Sequence, residues 1–283
     1  MVDINGYEIN SAFSGGEPLK AIYSLGEKVW PTVEPEPVDY SKQYFRISPE
    51  RNIYAEIILT IGSLGDGNVE NYDLYYKINY ENNWTKITST ETKLILRENT
   101  YVELKGVNDK LCKSSDDYFH IRSANSLYNH IVSGNIMSLL YGDDFIGKNE
   151  LKSSSSFSRL FKEDKNLSDA SNLILPATTL TPFCYDDMFW FCSSLNTAPE
   201  LPATTLEKYC YGSMFYYCSK LNYVKANFTT EPSSTYTDSW LYNVSPTGTF
   251  VANPDATWTN SISRGSSTVP AGWTITKITA LNK

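Results

Sequence analysis

Leu175-Pro176-Ala177-Thr178-Thr179-Leu180 returns at an offset of 26 as Leu201-Pro202-Ala203-Thr204-Thr205-Leu206. The match continues downstream at the same offset. Cys184 maps to Cys210, Tyr185 to Tyr211, Met188 to Met214, Phe189 to Phe215, Cys192 to Cys218 and Leu195 to Leu221. A fixed period of this size means one supersecondary unit laid down repeatedly, each copy burying its face on the next. Within the unit, Leu206, Cys210, Met214, Cys218 and Leu221 step by 4, 4, 4 and 3. That spacing predicts one face of a helix, and Leu180, Cys184, Met188, Cys192 and Leu195 predict another. Thr204-x-x-Glu207 reads as a capping box at one helix start, and Pro182 falls in the first turn of the other. A worn earlier copy runs through Phe157, Leu160, Phe161 and Leu167. The Leu-Pro segments are then short extended pieces between helices.

An array of this kind needs its ends covered. On the N-terminal side Ile136-Met137-Ser138-Leu139-Leu140 and the residues before it suit that task. On the C-terminal side the repeat gives out after Phe228. The following segment is rich in Ser, Thr, Pro and Gly, with Trp240, Trp258 and Trp273 spaced through it. Those tryptophans and Thr249-Phe250-Val251 point to a β-rich cap rather than a disordered tail.

Working toward the N-terminus, residues 44–123 carry a β pattern. Ile53 to Ile61, Leu74 to Tyr80, Trp84 to Ile87, Lys93 to Arg97, Tyr101 to Gly106 and Tyr118 to Arg122 read as strands. Turn signals at Gly65-Asp66-Gly67, Asn82-Asn83, Glu98-Asn99 and Asn108-Asp109 separate them, which predicts an antiparallel sandwich. Before this lies Pro31-Thr32-Val33-Glu34-Pro35-Glu36-Pro37-Val38, an extended, stiff linker by composition. The first thirty residues read as short strands, Val2 to Ile9, Ala21 to Leu25 and Lys28 to Trp30, with turns at Gly15-Gly16 and Gly26-Glu27. A module this small is stable only when docked or oligomerised.

The bulk composition narrows the function. Of the 283 residues 41% are hydrophobic, enough for a packed core. The net charge of −8 with no Lys/Arg cluster speaks against nucleic-acid binding. No run is apolar enough to insert in a membrane, and Met1-Val2-Asp3-Ile4-Asn5-Gly6 has no secretory character, so synthesis in a cytoplasm is expected. Twenty-one Tyr and six Trp suit both a β-rich core and an interface or sugar-stacking surface.

Candidates for chemistry are few. Five cysteines without a Cys-x-x-Cys pair, and only two histidines, argue against a disulfide framework or a zinc site. The repeated cysteines read as small buried apolar residues, with the pairs 184/210 and 192/218 able to face each other between units. Gly62-Ser63-Leu64-Gly65-Asp66-Gly67 reads as a hairpin turn. His120 reads as a surface or hydrogen-bonded strand residue, and nothing brings His130 near Cys112 or a carboxylate. Asp143-Asp144, Asp186-Asp187 and Asp66 have calcium-binding chemistry without the spacing of a known loop. Asp186-Asp187 also falls where a helix dipole favours negative charge. No catalytic, cofactor or metal residue is expected. Trp190 and Tyr216, off the buried face, are the candidates for receptor contact.

The pattern Leu-Pro-x-x-x-Leu followed by Cys-Tyr-x-x-Met-Phe-x-x-Cys-x-x-Leu resembles the BspA-type leucine-rich repeats of bacterial surface and phage proteins. Gly134-Asn135-Ile136-Met137-Ser138-Leu139-Leu140-Tyr141-Gly142-Asp143-Asp144-Phe145 resembles the segment that introduces such repeats in gut-phage proteins. Gly248-Thr249-Phe250-Val251 and Val269-Pro270-Ala271-Gly272-Trp273-Thr274 resemble their usual ending. Val2 to Gly6 and Leu25 to Pro31 look like the start of phage virion proteins. Together these stretches imply a tail-fibre or head-fibre component, of the crAss-like kind. The array is short for that family, with two clear repeats and one worn one.

The expected fold is mixed α+β. A small N-terminal β anchoring module spans 1–31, with Ile4, Tyr7, Ile9, Ile22, Tyr23 and Trp30 as its particle contacts. A Pro/Glu linker (32–39), a β-sandwich (40–134), a leucine-rich-repeat-like array (135–228) and a C-terminal cap (229–283) follow. The resemblance implies a non-enzymatic virion protein and a homotrimer. Its partners would be capsid or tail proteins and a host-surface glycan or protein. A bacterial cell-surface adhesin, a cytoplasmic repeat scaffold and, last, a glycan-cleaving enzyme are the alternatives.

Overall fold

The computed structural model describes residues 38–52, 54–62, 65–124, 127–256, 260–261 and 267–277, and six short strands within 2–30. The chain divides into two units, Met1–Asp39 and Tyr40–Lys283. The first unit contains three antiparallel hairpins. They are β1 (Val2–Ile4) with β2 (Tyr7–Ile9), β3 (Phe13–Ser14) with β4 (Glu17–Pro18), and β5 (Ile22–Ser24) with β6 (Glu27–Trp30). The sequence between the paired residues is Asn5-Gly6, Gly15-Gly16 and Leu25-Gly26, of which the first two are dipeptides that two-residue hairpin connections favour. The single strand expected over Val2 to Ile9 is therefore two strands, with Ile4 opposite Tyr7. Among the anchoring candidates, Ile9 lies opposite Val2, Ile22 opposite Trp30, and Tyr23 opposite Lys28. Their side chains and the linker residues 31–37 lie outside the described residues, as do Ile53, Ser63, Leu64 and Trp258.

The second unit opens with β7 (Phe45–Pro49), β8 (Tyr54–Ile61), β9 (Leu74–Ile78), β10 (Thr85–Lys86), β11 (Glu91–Arg97), β12 (Val102–Gly106), β13 (Phe119–Ser123) and β14 (His130–Asn135). With β15 (Leu167–Ile174) they form a six-stranded sheet of order β10-β9-β12-β7-β14-β15 and a three-stranded sheet of order β11-β8-β13. Alternation explains the faces. Phe45 and Ile47, and Leu94 and Leu96, are buried, whereas Arg46 and Ile95 between them are not; on β12 Val102 and Leu104 are buried, Lys105 is not, and Glu103 is covered by its ion pairs. Both sheets feed one continuous apolar cluster.

Strand β14 belongs to two neighbourhoods. It pairs antiparallel with β7 and parallel with β15. Gly134 sits there at φ +79°, where an added Cβ would lie 2.1 Å from the Tyr44 carbonyl oxygen. Only glycine fits that close approach. The chain then turns into α1 (Ser138–Tyr141). Ser138 Oγ donates to the Leu104 carbonyl at 2.8 Å and accepts from the Phe45 amide at 3.0 Å. Ile136, Met137, Leu139 and Leu140 are all fully buried.

The helices expected over the repeat are absent. Helix α1 is the one α-helix among the described residues. Residues 182–191 and 208–217 are instead ribbons of overlapping turns. Even-numbered amides bond back three residues: Cys184 to Thr181 at 3.3 Å, Met188 to Tyr185 at 3.2 Å, Cys192 to Phe189 at 3.0 Å. Odd-numbered amides reach the next coil: Tyr185 to Cys210 at 3.0 Å, Phe189 to Met214 at 2.9 Å, Phe191 to Tyr216 at 2.8 Å. The worn copy joins the same ladder, since the Phe157 amide bonds Cys184 and the Phe161 amide bonds Met188. An α-helix would satisfy these amides internally, so the ribbon exists only as part of a stack.

One residue in four takes a positive φ: Ser155, Arg159 and Glu163; Phe183, Asp187 and Phe191; Tyr209, Ser213 and Tyr217; Ser239 and Asn243. For a non-glycine residue this conformation costs roughly 1–2 kcal/mol. The return is a backbone period of four, which keeps Cys184/Tyr185 and Met188/Phe189 on one side. A helix of 3.6 residues per turn would let pairs at a strict spacing of four drift around its axis. Thr204, Glu207 and Pro182 consequently cap no helix, and no helix dipole acts on Asp186-Asp187.

The other side of each coil is extended. Parallel bridges join Asp169 to Thr197, Thr197 to Tyr223, Thr179 to Thr205, and Leu201 to Ala226. Beyond them β16 (Tyr223–Ala226), β17 (Gly248–Ala252) and, after the short parallel pair β18 (Asn260–Ser261) and β19 (Val269–Pro270), β20 (Trp273–Lys277) form a parallel sheet of order β16-β17-β20. The repeat expected to end at Phe228 therefore runs on for one more coil in its backbone pairing, although the side chains there no longer match. The Phe215 amide bonds Trp240 and the Tyr217 amide bonds Tyr242. At the same offset of 26, Trp240 stands where Met214 did, Leu241 where Phe215 did and Thr237 where Tyr211 did. All three are buried.

Between ribbon and strands runs a dry spine. Cys184, Met188, Cys192, Cys210, Met214 and Cys218 are fully buried. Aromatic rings stack from coil to coil: Phe157 on Tyr185 at 5.9 Å, Tyr185 on Tyr211 at 5.8 Å, Phe161 on Phe189 at 5.1 Å, and Phe189 on Phe215 at 5.5 Å. Each stacked pair adds about 0.5–1.5 kcal/mol beyond its area.

Candidate functional site

Two surface features stand out, and the first was not anticipated. The outward face of the six-stranded sheet carries Tyr75 and Lys77 on β9, Glu103 and Lys105 on β12, and Arg46 on β7. Register places Lys105 beside Tyr75 and Glu103 between Lys77 and Arg46. Glu103 is clasped by Arg46 at 2.7 Å and Lys77 at 3.3 Å. At one end of this face lies a groove of about 250 Å³, lined by Asp73, Tyr75, Trp84, Lys105, Gly106, Val107, Gly142 and Asp143. Lys105 Nζ donates to both Asp143 oxygens, at 2.7 and 2.8 Å, and the Tyr44 hydroxyl donates to the same carboxylate at 2.6 Å. These bonds, the Lys105 one first, hold the Asp143 carboxyl below its usual range, so it stays ionised. The Trp84 ring has the Lys105 ammonium at 4.5 Å and the Lys77 ammonium at 5.0 Å, and Tyr44 meets it edge-on at 5.0 Å.

The second feature contains both residues singled out for receptor contact. Trp190 and Tyr216 stack at 6.0 Å, nearly parallel, and Tyr242 extends the stack at 5.0 Å from Tyr216. Beside this row Phe191 stacks on Tyr217 at 4.5 Å. Lys162 occupies the equivalent place in the first coil, its ammonium 4.5 Å over the Trp190 ring. Asp187 binds Lys162 at 3.1 Å and lies 3.5 Å from Arg159. The ring faces point along the stack toward one another, so the outside meets mainly their edges and the tyrosine hydroxyls. Tyr242 escaped the sequence reading because its coil no longer matches at the spine.

The remaining candidates are placed differently from expectation. His130 is fully buried against Asp164, with Nε2 to Oδ2 at 3.0 Å. The two atoms are close but lie off the line of a directed hydrogen bond. Ser123 Oγ donates to Asp164 Oδ1 at 2.7 Å and lies 3.3 Å from His130 Nδ1. The three groups close a ring rather than forming a relay, and the serine hydroxyl is committed to the carboxylate. They clasp the end of β13 to the start of β14 and the loop before β15. His120, expected at the surface or hydrogen-bonded, is buried with neither ring nitrogen paired, and burial, aided by Arg122, pushes it down to about 4. It is neutral at physiological pH.

The acidic pairs are likewise occupied elsewhere. Asp143 belongs to the groove and Asp187 to the basic pair in the array. Burial first, then the neighbouring Asp187, pushes the Asp186 carboxyl up to about 7. Among the described residues no three acidic, histidine or cysteine side chains converge as metal ligands would. The five cysteines are free and buried. Cys192 and Cys218 donate to the Phe161 and Phe189 carbonyls at 3.0 Å, which gives each thiol a polar partner in the preceding coil. Burial pushes the Cys184 and Cys192 thiols well up, so they are poor nucleophiles.

No protein-family model matches the chain, nor does any curated protein or solved structure. Among the described residues no helix is long and apolar enough to cross a membrane.

Proposed function

We propose that this chain is a structural, non-enzymatic virion component of the tail-fibre or head-fibre kind. In this reading residues 1–31 anchor it to capsid or tail proteins, through Ile4, Tyr7, Ile9, Ile22, Tyr23 and Trp30. The linker holds the remainder clear of the particle. The two sheets form an antiparallel sandwich, and the coils form a short leucine-rich-repeat-like array of BspA type. Together they display surfaces for attachment to a host-surface glycan or protein, with the chain as a homotrimer.

The observation that carries the reading is the use made of the repeated residues. Leu180, Cys184, Tyr185, Met188, Phe189, Cys192 and Leu195 are all buried in the spine. The motif is thereby spent on stacking coils, and what each coil leaves outside is surface. The groove and the Trp190–Tyr216–Tyr242 row add aromatic, polar patches of the sort recognition surfaces use.

The test is location. Immunogold labelling and mass spectrometry of particles from cultures making the chain should find it in the virion. A version beginning at Val38 should fold and stay soluble but fail to join particles. Absence of the full chain from particles, or retention of the shortened one, rejects the assignment.

A further inference from the structure

The groove on the six-stranded sheet has a chemistry that selects its ligand. We propose that Tyr75, Trp84, Asp73, Lys105 and Asp143 form a binding site for a neutral sugar of a surface polysaccharide. The inference rests on the attachment role proposed above and names the ligand class for it.

Charge excludes several other occupants. Lys105, the ammonium that lines the groove among the described residues, is already neutralised by both oxygens of Asp143. Asp73 adds a second carboxylate, itself 3.5 Å from Lys86. With Lys105 on Asp143 and Lys86 on Asp73, each ammonium at the groove already has a carboxylate partner, so a phosphate, sulfate or uronic acid would meet no net positive charge and would have to compete with those carboxylates. A divalent cation would find two carboxylates and an ammonium between its ligands, a poor hard-oxygen cage. A wholly apolar ligand would bury the Asp143 and Lys105 heads without hydrogen-bond partners.

A sugar meets none of these objections. Its hydroxyls can donate to the oxygen lone pairs that Asp143 keeps, since that carboxylate remains 65% exposed despite its three bonds. They can accept from Lys105 Nζ and donate to Asp73. Its C–H faces can lie against Tyr75 and Trp84. The polar groups are fixed before the ligand arrives. Tyr44 and Lys105 set the Asp143 rotamer, and Lys77, Lys105 and Tyr44 hold Trp84. Preorganised side chains lose little entropy on binding. Gly106 at the groove must remain glycine, because a Cβ there would strike the Asp73 carbonyl oxygen at 2.0 Å. At about 250 Å³ the groove is smaller than a typical drug-sized pocket of about 300–1,000 Å³, which suits one or two sugar units of a longer chain.

Saturation-transfer NMR on the full chain tests the site. The probes are malto-, cello-, laminari-, manno- and galacto-oligosaccharides, with polygalacturonate as the acidic comparison. At least one neutral oligosaccharide should bind saturably. Trp84→Ala and Asp143→Asn should each weaken it at least tenfold, and Tyr80→Ala, on an exposed turn outside the groove, should not. Asp143→Asn keeps the side chain's shape and decides the matter if Trp84→Ala unfolds the sheet. Failure of every neutral probe, binding that survives Asp143→Asn, or preference for polygalacturonate overturns the proposal. A chain found in virions but blind to these sugars loses the groove alone. A chain that binds sugar but is missing from virions loses only the fibre role.

Discussion

At the scale of single residues, Asp186 is the position where environment most alters chemistry. In an unfolded chain its carboxyl ionises near 3.8, and in the fold near 7. Between those values the native state holds a proton that the unfolded state has released. Folding is therefore favoured below about 3.8, and that advantage drains away as pH rises through about 7. Above neutrality the half-buried charge costs roughly 2–4 kcal/mol. Asp186→Asn should accordingly gain little over wild type at pH near 4 and most of that amount near pH 8, read by denaturant unfolding at both. An equal gain at the two pH values would disprove the account. Gly212 shares the site, since a Cβ there would come 2.5 Å from Asp186 Oδ1. The sequence shows two adjacent aspartates, but only the stacked coil says that Asp187 pairs with Lys162 and Arg159 while Asp186, half-buried beside it, does not. The same holds for His130 and Asp164. Far apart in sequence, they meet only because β14 and β15 run side by side.

At the scale of the element, the four-residue ribbon makes its own demand. The eleven positive-φ positions within the ribbons carry Ser, Arg, Glu, Phe, Asp, Tyr and Asn, and none is β-branched. A branched Cβ would clash with the backbone there. Ser213 isolates the effect, being half-buried with its amide bonded to Asp238 at 2.7 Å. Ser213→Gly should be neutral or stabilising by up to about 1 kcal/mol, and Ser213→Val should cost about 1–2 kcal/mol. Denaturation midpoints of the two variants would check the order, which a helix would reverse because valine suits a helix better than glycine does. This is also where the sequence was legible only in part. The period of 26 and the buried set Cys184, Met188, Cys192 were readable. The strict spacing of four fitted a helix well enough to be taken for one, because amides bonded between coils leave no local trace. The strands over residues 54–123 were readable because alternation is local. The groove was not, because Asp143 joins Tyr75 and Trp84 only through the packing of α1 beneath β12.

At the scale of the whole molecule, the coils depend on their neighbours. Ribbon three gives the amides of Tyr209, Tyr211, Ser213, Phe215 and Tyr217 to residues 235–242. Tyr211 and Phe228 also pack on Trp240. A chain ending at Phe228 should therefore leave five backbone donors and two large rings uncovered, and aggregate. The unit 40–283, having one apolar cluster, should melt in a single transition. Size-exclusion chromatography and calorimetry on the two versions would show it, and a monomeric product ending at Phe228 with unchanged melting would refute it. One further consequence follows from β14, which bonds to β7 on one side and β15 on the other. No swivel exists between groove and aromatic row: twisting one against the other would tear both edges of that shared strand. The two patches behave as points on a single stiff lever, so the orientation imposed on one by whatever it grips dictates the direction in which the other faces.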